Sequence, residues 1–242
     1  MREDIAQGVR DTRVAAIGLI PLGLAFGLLM VQSGFSWWWT PIFSTVIYAG
    51  SMEFLAISMV TGGATAVASL VTGFMVNFRH IFYGLTFPRH RIHSRLGRAY
   101  STYALTDETY AIVSSLPAEE RPSGNRILTI QIFCQVLWVG GGIVGALAGR
   151  VIPSSVQGME FALVALFVVL AMDSFRSNQD FSLPLSAVVV GILAAAFAPG
   201  QLLMVALSAY FILLIIRYAS PRIDAAIGLR SRGESTRFRE ER

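Results

Sequence analysis

"PIFSTVIYAGSMEFLAISMV", residues 41–60, is apolar almost throughout yet carries a carboxylate, Glu53, near its middle beside Gly50 and Ser51. A run of about 20 apolar residues has the length that a helix needs to cross a bilayer. An ionisable side chain at that depth is costly unless it is paired, hydrated or functional. The small residues beside it mark a broken or re-entrant helix, because non-helical backbone at membrane depth is tolerated where it lines a cavity. The whole chain has the same character. Of its 242 residues, 54% are hydrophobic and 14% charged, against about a quarter charged in a soluble domain.

Further apolar runs lie at about 14–32, 64–85, 127–149, 156–172, 183–198 and 201–217, and "SGFSWWWTP" supplies interfacial tryptophans. The expected fold is an all-α integral membrane protein. It has six or seven hydrophobic segments, a broken or re-entrant second segment and a weak internal repeat, with a polytopic domain over 1–218 and a charged cytoplasmic tail over 219–242. The repeat rests on "SMEFLAISMV" (51–60) and "GMEFALVALFVVL" (158–170), each preceded by a glycine-rich segment. Residues 14–31 are too long for the apolar part of a cleavable signal and lack a small-x-small site after them, so they are expected to remain as the first membrane helix.

All 19 basic residues are arginines. They gather at Arg2, Arg10 and Arg13, at "RHRIHSRLGR" (89–98), and from Arg217 to the end, flanking apolar runs as cytoplasmic loops do. No aromatic stacking platform accompanies them, which argues against nucleic-acid binding. With the tail inside, counting backwards puts 89–98 inside too, provided the mixed segment "RAYSTYALTDETYAIVSSL" (98–116) does not cross. Two solutions then remain: the N-terminus is inside and the second run does not cross, or the N-terminus is outside, its basic character diluted by Glu3 and Asp11. The single cysteine, Cys134, excludes an intrachain disulfide and a cysteine-based metal cluster.

The polar residues within the apolar runs are the candidate site. Glu53 is placed to bind an ammonium group or carry a proton; otherwise it is a neutral carboxylic acid hydrogen-bonded to backbone. In "MVNFRHIFYG" (75–84), helical spacing puts Asn77, His80 and Gly84 on one face and Arg79 and Tyr83 on another. Arg79 is suited to pairing with Glu53, to clamping a carboxylate or to snorkelling, and His80 to passing protons or to packing. In the mixed segment Tyr103, Thr106, Asp107 and Tyr110 share a helical face, with Glu108 on the next; alternatively Thr106 and Asp107 cap a half-helix beginning at Glu108. Glu160 and Asp173 are expected at the interface.

In order along the chain, "YAGSMEF", "NFRHIFYGL", "ALTDETYA" and "FALVALFVVLAMDSFRSNQD" resemble the AzlC family, the large subunits of bacterial branched-chain amino-acid exporters, over residues 8 to 218. The resemblance implies export of leucine, isoleucine, valine or similar neutral amino acids, driven by the proton gradient. It also implies residence in the bacterial inner membrane, with a small hydrophobic AzlD partner beside a possible homo-oligomer. The family pattern commonly has Gln at the position of Glu53, which weakens that residue as an obligatory proton carrier but keeps it as a hydrogen-bond acceptor.

A zwitterion needs an acceptor, a donor and an apolar wall. Glu53 or Asp107 serve as acceptor, Arg79 or an open helix N-terminus as donor, and Phe54, Phe78 or Phe82 as wall. The candidate binding set is therefore Ser51, Glu53, Asn77, Arg79, His80, Asp107 and Tyr110, and the proton-coupling candidates are Glu53, His80, Asp107 and Glu108. No cofactor or metal is expected. An intramembrane enzyme finds no support from an H-E-x-x-H or G-x-S-x-G motif; a scaffold subunit or a transporter of another solute is the alternative, and a channel is disfavoured by the lack of a ring of charges.

Overall fold

The computed structural model describes residues 2–116, 122–151, 168, 171–172, 175, 180–220, 223–224 and 227–228. The run at 156–172 lies almost wholly outside them. Glu160, Asp173, the second half of the proposed repeat and most of the tail also lie outside the described residues. Every regular element described is helical: α1 Arg2–Asp11, α2 Arg13–Gln32, α3 Trp39–Val46, α4 Gly50–Thr61, α5 Ala66–Asn77, α6 Arg79–Thr86, α7 Arg95–Tyr103, α8 Asp107–Ser115, α9 Gly124–Gly149, α10 Ser182–Phe197 and α11 Leu202–Ala219. Among the described residues, only α2 and α9 are long and apolar enough to cross a membrane unaided; α4, α5, α10 and most of α11 are shorter apolar helices. Large apolar side chains such as Val67, Leu70, Val136, Leu185 and Ile192 are exposed, as expected where the solvent is lipid rather than water.

The chain forms two compact units, residues 1–63 with 76–164 and residues 64–75 with 165–242. The first is built on α2 and α9. Lipid tails are as apolar as leucine, so membrane helices associate through close van der Waals packing, which small residues permit. Here "GLAFG" (23–27) on α2 meets "GGIVG" (141–145) on α9. A Cβ added at Gly23 would lie 2.8 Å from the Trp138 carbonyl oxygen, and one at Gly27 or Gly145 would collide with the facing backbone of Gly142 or Leu24. Gly8 faces Thr129, Ile20 faces Gly141, Leu24 faces Gly145 and Leu28 faces Gly149. Each pair has the same separation in sequence, so α1 and α2 run parallel to α9 in one register.

This parallel packing puts the starts of α1 and α9 at the same end of the unit, where side chains join them. Arg126 donates to both Asp11 carboxylate oxygens, at 2.7 and 3.0 Å. Ser123 donates to Asp4 at 2.8 Å. Arg91 donates to the Pro122 carbonyl at 3.4 Å, so the basic 89–98 segment lies at that end too. Trp37, Trp38 and Trp39 follow α2 at the opposite end. Because 89–98 and 122–126 meet, the segment between them leaves the arginine end and returns to it.

The mixed segment is accordingly not one helix. It breaks at Ala104–Thr106, so Tyr103 and Tyr110 belong to different helices and the expected face of Tyr103, Thr106, Asp107 and Tyr110 does not exist. α7 rises along α9, with Gln131 donating to the carbonyls of Ser101 and Ala104 at 3.0 and 3.2 Å. α8 descends beside α6, where Tyr83 stacks on Tyr110 with ring centroids 4.2 Å apart. The expected run at 64–85 is similarly interrupted, at Phe78.

α3 and α4 form a second hairpin, entering from the tryptophan end. Ser44 donates to Glu53 at 2.9 Å; nine residues of straight helix would separate the two by roughly 13 Å, so the chain must turn back at Ile47–Ala49. Tyr48 makes the turn with φ 42°, a conformation that bulky residues rarely adopt.

In the second unit, α10 and α11 are joined by the 3-10 turn Pro199–Gln201. Arg217, expected to begin a basic tail, is buried instead: it donates to Asp180, Ser182 and Asp224 at 2.8, 2.8 and 2.9 Å, fastening the end of α11 to the start of α10.

Candidate functional site

The two hairpins approach from opposite ends and their tips meet beside α9. Each tip frees a helix N-terminus. At α8, the Thr106 hydroxyl oxygen accepts from the Thr109 amide and the Thr109 hydroxyl oxygen accepts from the Thr106 amide, a reciprocal cap that satisfies exposed donors. The half-helix thus begins at Asp107, one residue before the sequence reading placed it. At α4, Ala49 is extended and no side chain caps the helix. Its first amides, at the positive end of the helix dipole, stay open to an acceptor.

Glu53 is fully buried one turn into α4. Its Oε1 accepts from Trp138 Nε1 at 3.0 Å and its Oε2 accepts from Ser44 at 2.9 Å. Phe26 packs beside this arrangement, stacked on Trp138 at 6.2 Å and edge-on to Phe54 at 5.4 Å. The carboxyl group therefore has protein partners on both oxygens.

Arg79 pairs with Asp107 rather than Glu53. Its Nε donates to Asp107 at 2.8 Å and its Nη2 reaches Ser51 at 3.4 Å, linking the start of α6 to both hairpin tips. Ser51, Arg79 and Asp107 thus come together, with Tyr110 a turn further down α8 hydrogen-bonded to Thr86 at 2.9 Å. His80 packs edge-on against Tyr83, ring centroids 5.4 Å apart, its Nδ1 lying 3.1 Å from the Asn77 carbonyl oxygen. Of the three expected wall residues, Phe54 is fully buried, Phe82 is exposed, and Phe78 and Phe82 contact each other.

A cavity of about 20 Å³ remains between the tips, lined by Leu19, Tyr48, Gly50, Thr106, Glu108 and Trp138. It accommodates one water-sized group. Tyr103 closes the tips together, its hydroxyl donating to the Thr45 carbonyl and its ring lying 5.6 Å from that of Tyr48.

Sequence reasoning missed the support behind this arrangement. Gln131 caps the broken end of α7; Gln135 donates to Tyr103 and accepts from Tyr100, each at 2.8 Å; Trp138 holds Glu53. All three lie on α9 at spacings of four and three, one helical face. A row of hydrogen-bonding side chains on a membrane helix was the available signal.

The model of the AzlC protein family matches residues 15–152. The inner membrane protein YgaZ of Escherichia coli is 32% identical over 197 residues, covering 78% of this chain and 79% of that protein. The branched-chain amino acid transport protein AzlC of Bacillus subtilis is 29% identical over 164 residues, 67% of this chain and 64% of that one. A Helicobacter pylori membrane protein is 29% identical over 193 residues, covering 79% and 85%. No solved structure matches the chain. The matched region takes in both hairpins, α9 and every residue of the cavity, and the chain belongs to the AzlC family.

Proposed function

We propose that the protein is the large subunit of an inner-membrane exporter of branched-chain or similar neutral amino acids, driven by the proton gradient and working with a small hydrophobic AzlD-like subunit. The observation that carries this reading is the meeting of two opposed hairpins at a small polar cavity deep in an apolar helical unit. Discontinuous helices whose N-termini converge near the bilayer centre are a common way to hold a small zwitterion. The name of the Bacillus subtilis relative supplies the substrate class.

Within this reading, the Arg79–Asp107 pair with Ser51 ties the hairpin tips together and changes partners during transport. Glu53, Asp107 and Glu108 are the carboxylates available for proton coupling, with His80 and Tyr110 flanking them. The arginine end faces the cytoplasm, as the distribution of charge favours, and the C-terminal tail lies on that side.

The test is efflux from bacteria lacking their own exporter, loaded with a leucine- or valine-containing peptide, with and without this chain and its small partner. The pair is expected to raise external leucine or valine several-fold, and collapse of the proton gradient to remove the gain. Normal insertion without export of any neutral amino acid would favour the scaffold reading or a different solute.

A further inference from the structure

The cavity between the hairpin tips is walled by groups that lack a partner or that suit a charged one. Tyr48 is buried and adopts φ 42°, a strained conformation that persists only where its surroundings require it. Its hydroxyl makes no hydrogen bond among the described residues, although a buried phenol ordinarily finds one. Beside it Gly50 begins α4, the half-helix without a side-chain cap. Thr106 and Glu108, from the opposite hairpin, bring to the far wall a carboxylate whose protein neighbours are its own backbone and the Thr106 side chain, and Leu19 and Trp138 add apolar surface. An acid, a donor hydroxyl with open helix amides, and an apolar flank form the complement of an amino acid's headgroup. Glu53 does not complete this set, since it lies outside the cavity lining and Ser44 and Trp138 occupy its two oxygens.

Building on the transport reading above, we infer that this cavity is the headgroup site for a free α-amino acid. Glu108 accepts hydrogen bonds from the ammonium group, the Tyr48 hydroxyl and the first amides of α4 donate to the carboxylate, and the side chain extends along Leu19 and Trp138. Glu53 is then a positioning residue that fixes Trp138 and the first turn of α4. The cavity of about 20 Å³ holds one water-sized group and is too small for either the headgroup or the side chain of leucine. Entry therefore requires the tips to part at the Tyr103–Thr45 contact. The site demands both unblocked charges, so substrates are free amino acids and not their amides, N-acyl derivatives or deaminated acids.

The experiment uses the purified full chain in lipid nanodiscs, with thermal stabilisation read on titration with leucine, leucinamide (no carboxylate) and 4-methylpentanoate (no ammonium). Leucine is expected to bind at least tenfold more tightly than either analogue. Tyr48→Phe, which keeps the ring, should weaken leucine about tenfold and narrow the gap to leucinamide. Glu108→Gln should weaken leucine and narrow the gap to 4-methylpentanoate.

Equal binding of leucine and both analogues, or wild-type selectivity in both variants, would overturn the headgroup site. Should leucine efflux persist in that case, the transport reading stands and only the placement of the substrate fails. Absence of both leucine binding and neutral amino-acid export would overturn the two together.

Discussion

Glu53 drew attention in the sequence as a charge in an apolar run, and the structure gives it two donors. A Glu53→Gln change retains a carbonyl oxygen for Trp138 and places an amide against Ser44, whose hydroxyl also accepts. It should therefore preserve folding. Glu53→Ala leaves the Trp138 N–H and the Ser44 hydroxyl buried without an acceptor, at a cost of about 1–3 kcal/mol for each group. The expected result is a melting temperature in detergent near wild type for the Gln variant and clearly lower for Ala. Equal melting temperatures would show that the carboxyl's partners contribute nothing to the fold. Trp138→Phe removes the N–H together with part of the ring that packs on Phe26 and Gly50, so it should lower the melting temperature more than Glu53→Gln does.

Among the helices, the closest fit is that of α2 on α9, and glycine position decides it. Gly27 has the Gly142 backbone directly against it, whereas Gly18, on the same helix, has nothing within 4 Å of an added Cβ. Gly18→Ala should leave stability unchanged or raise it, by up to about 1 kcal/mol from helix propensity. Gly27→Ala should lower it by about 1–3 kcal/mol, the usual cost of overpacking. Chemical denaturation of the two variants checks the contrast, and equal behaviour would mean that the two backbones can move apart without loss. A second contrast concerns the break between α7 and α8: Gln131→Leu removes the donor from the Ser101 carbonyl and leaves the Ala104 carbonyl with the Thr109 hydroxyl alone, and a cost of about 1–3 kcal/mol is expected for the buried acceptor left unpaired.

At the level of the whole molecule, topology is the property to test. The contacts Arg126–Asp11 and Arg91–Pro122 place the N-terminus, the 89–98 segment and the start of α9 at one end, so between the N-terminus and α9 the chain has crossed an even number of times. Cys134 is buried, so single cysteines introduced elsewhere report with little background. In intact cells a membrane-impermeant maleimide should label Trp38→Cys and spare Glu3→Cys and His93→Cys. The reverse pattern would invert the proposed orientation. Labelling that separates Glu3→Cys from His93→Cys would overturn the returning hairpin itself.

Composition and the spacing of apolar runs were enough to establish an all-helical membrane protein, because lipid leaves a spanning chain few ways to satisfy its backbone. The break before Glu53 was legible for a related reason: Gly, Ser and a carboxylate side by side are costly in an unbroken membrane helix. The second break was not, since Ala104, Leu105 and Thr106 continue a helical pattern and only Gln131 and Thr109, met in space, satisfy the carbonyls exposed there. The pairing of Arg79 with Asp107 and of Glu53 with Trp138 likewise joins residues far apart in the chain, and sequence spacing carries no information about such contacts. Sequence set what the molecule dissolves in and where its costly groups lie; the close approach of two glycine-lined helices, which brings the hairpin tips together, decided which of those groups face one another.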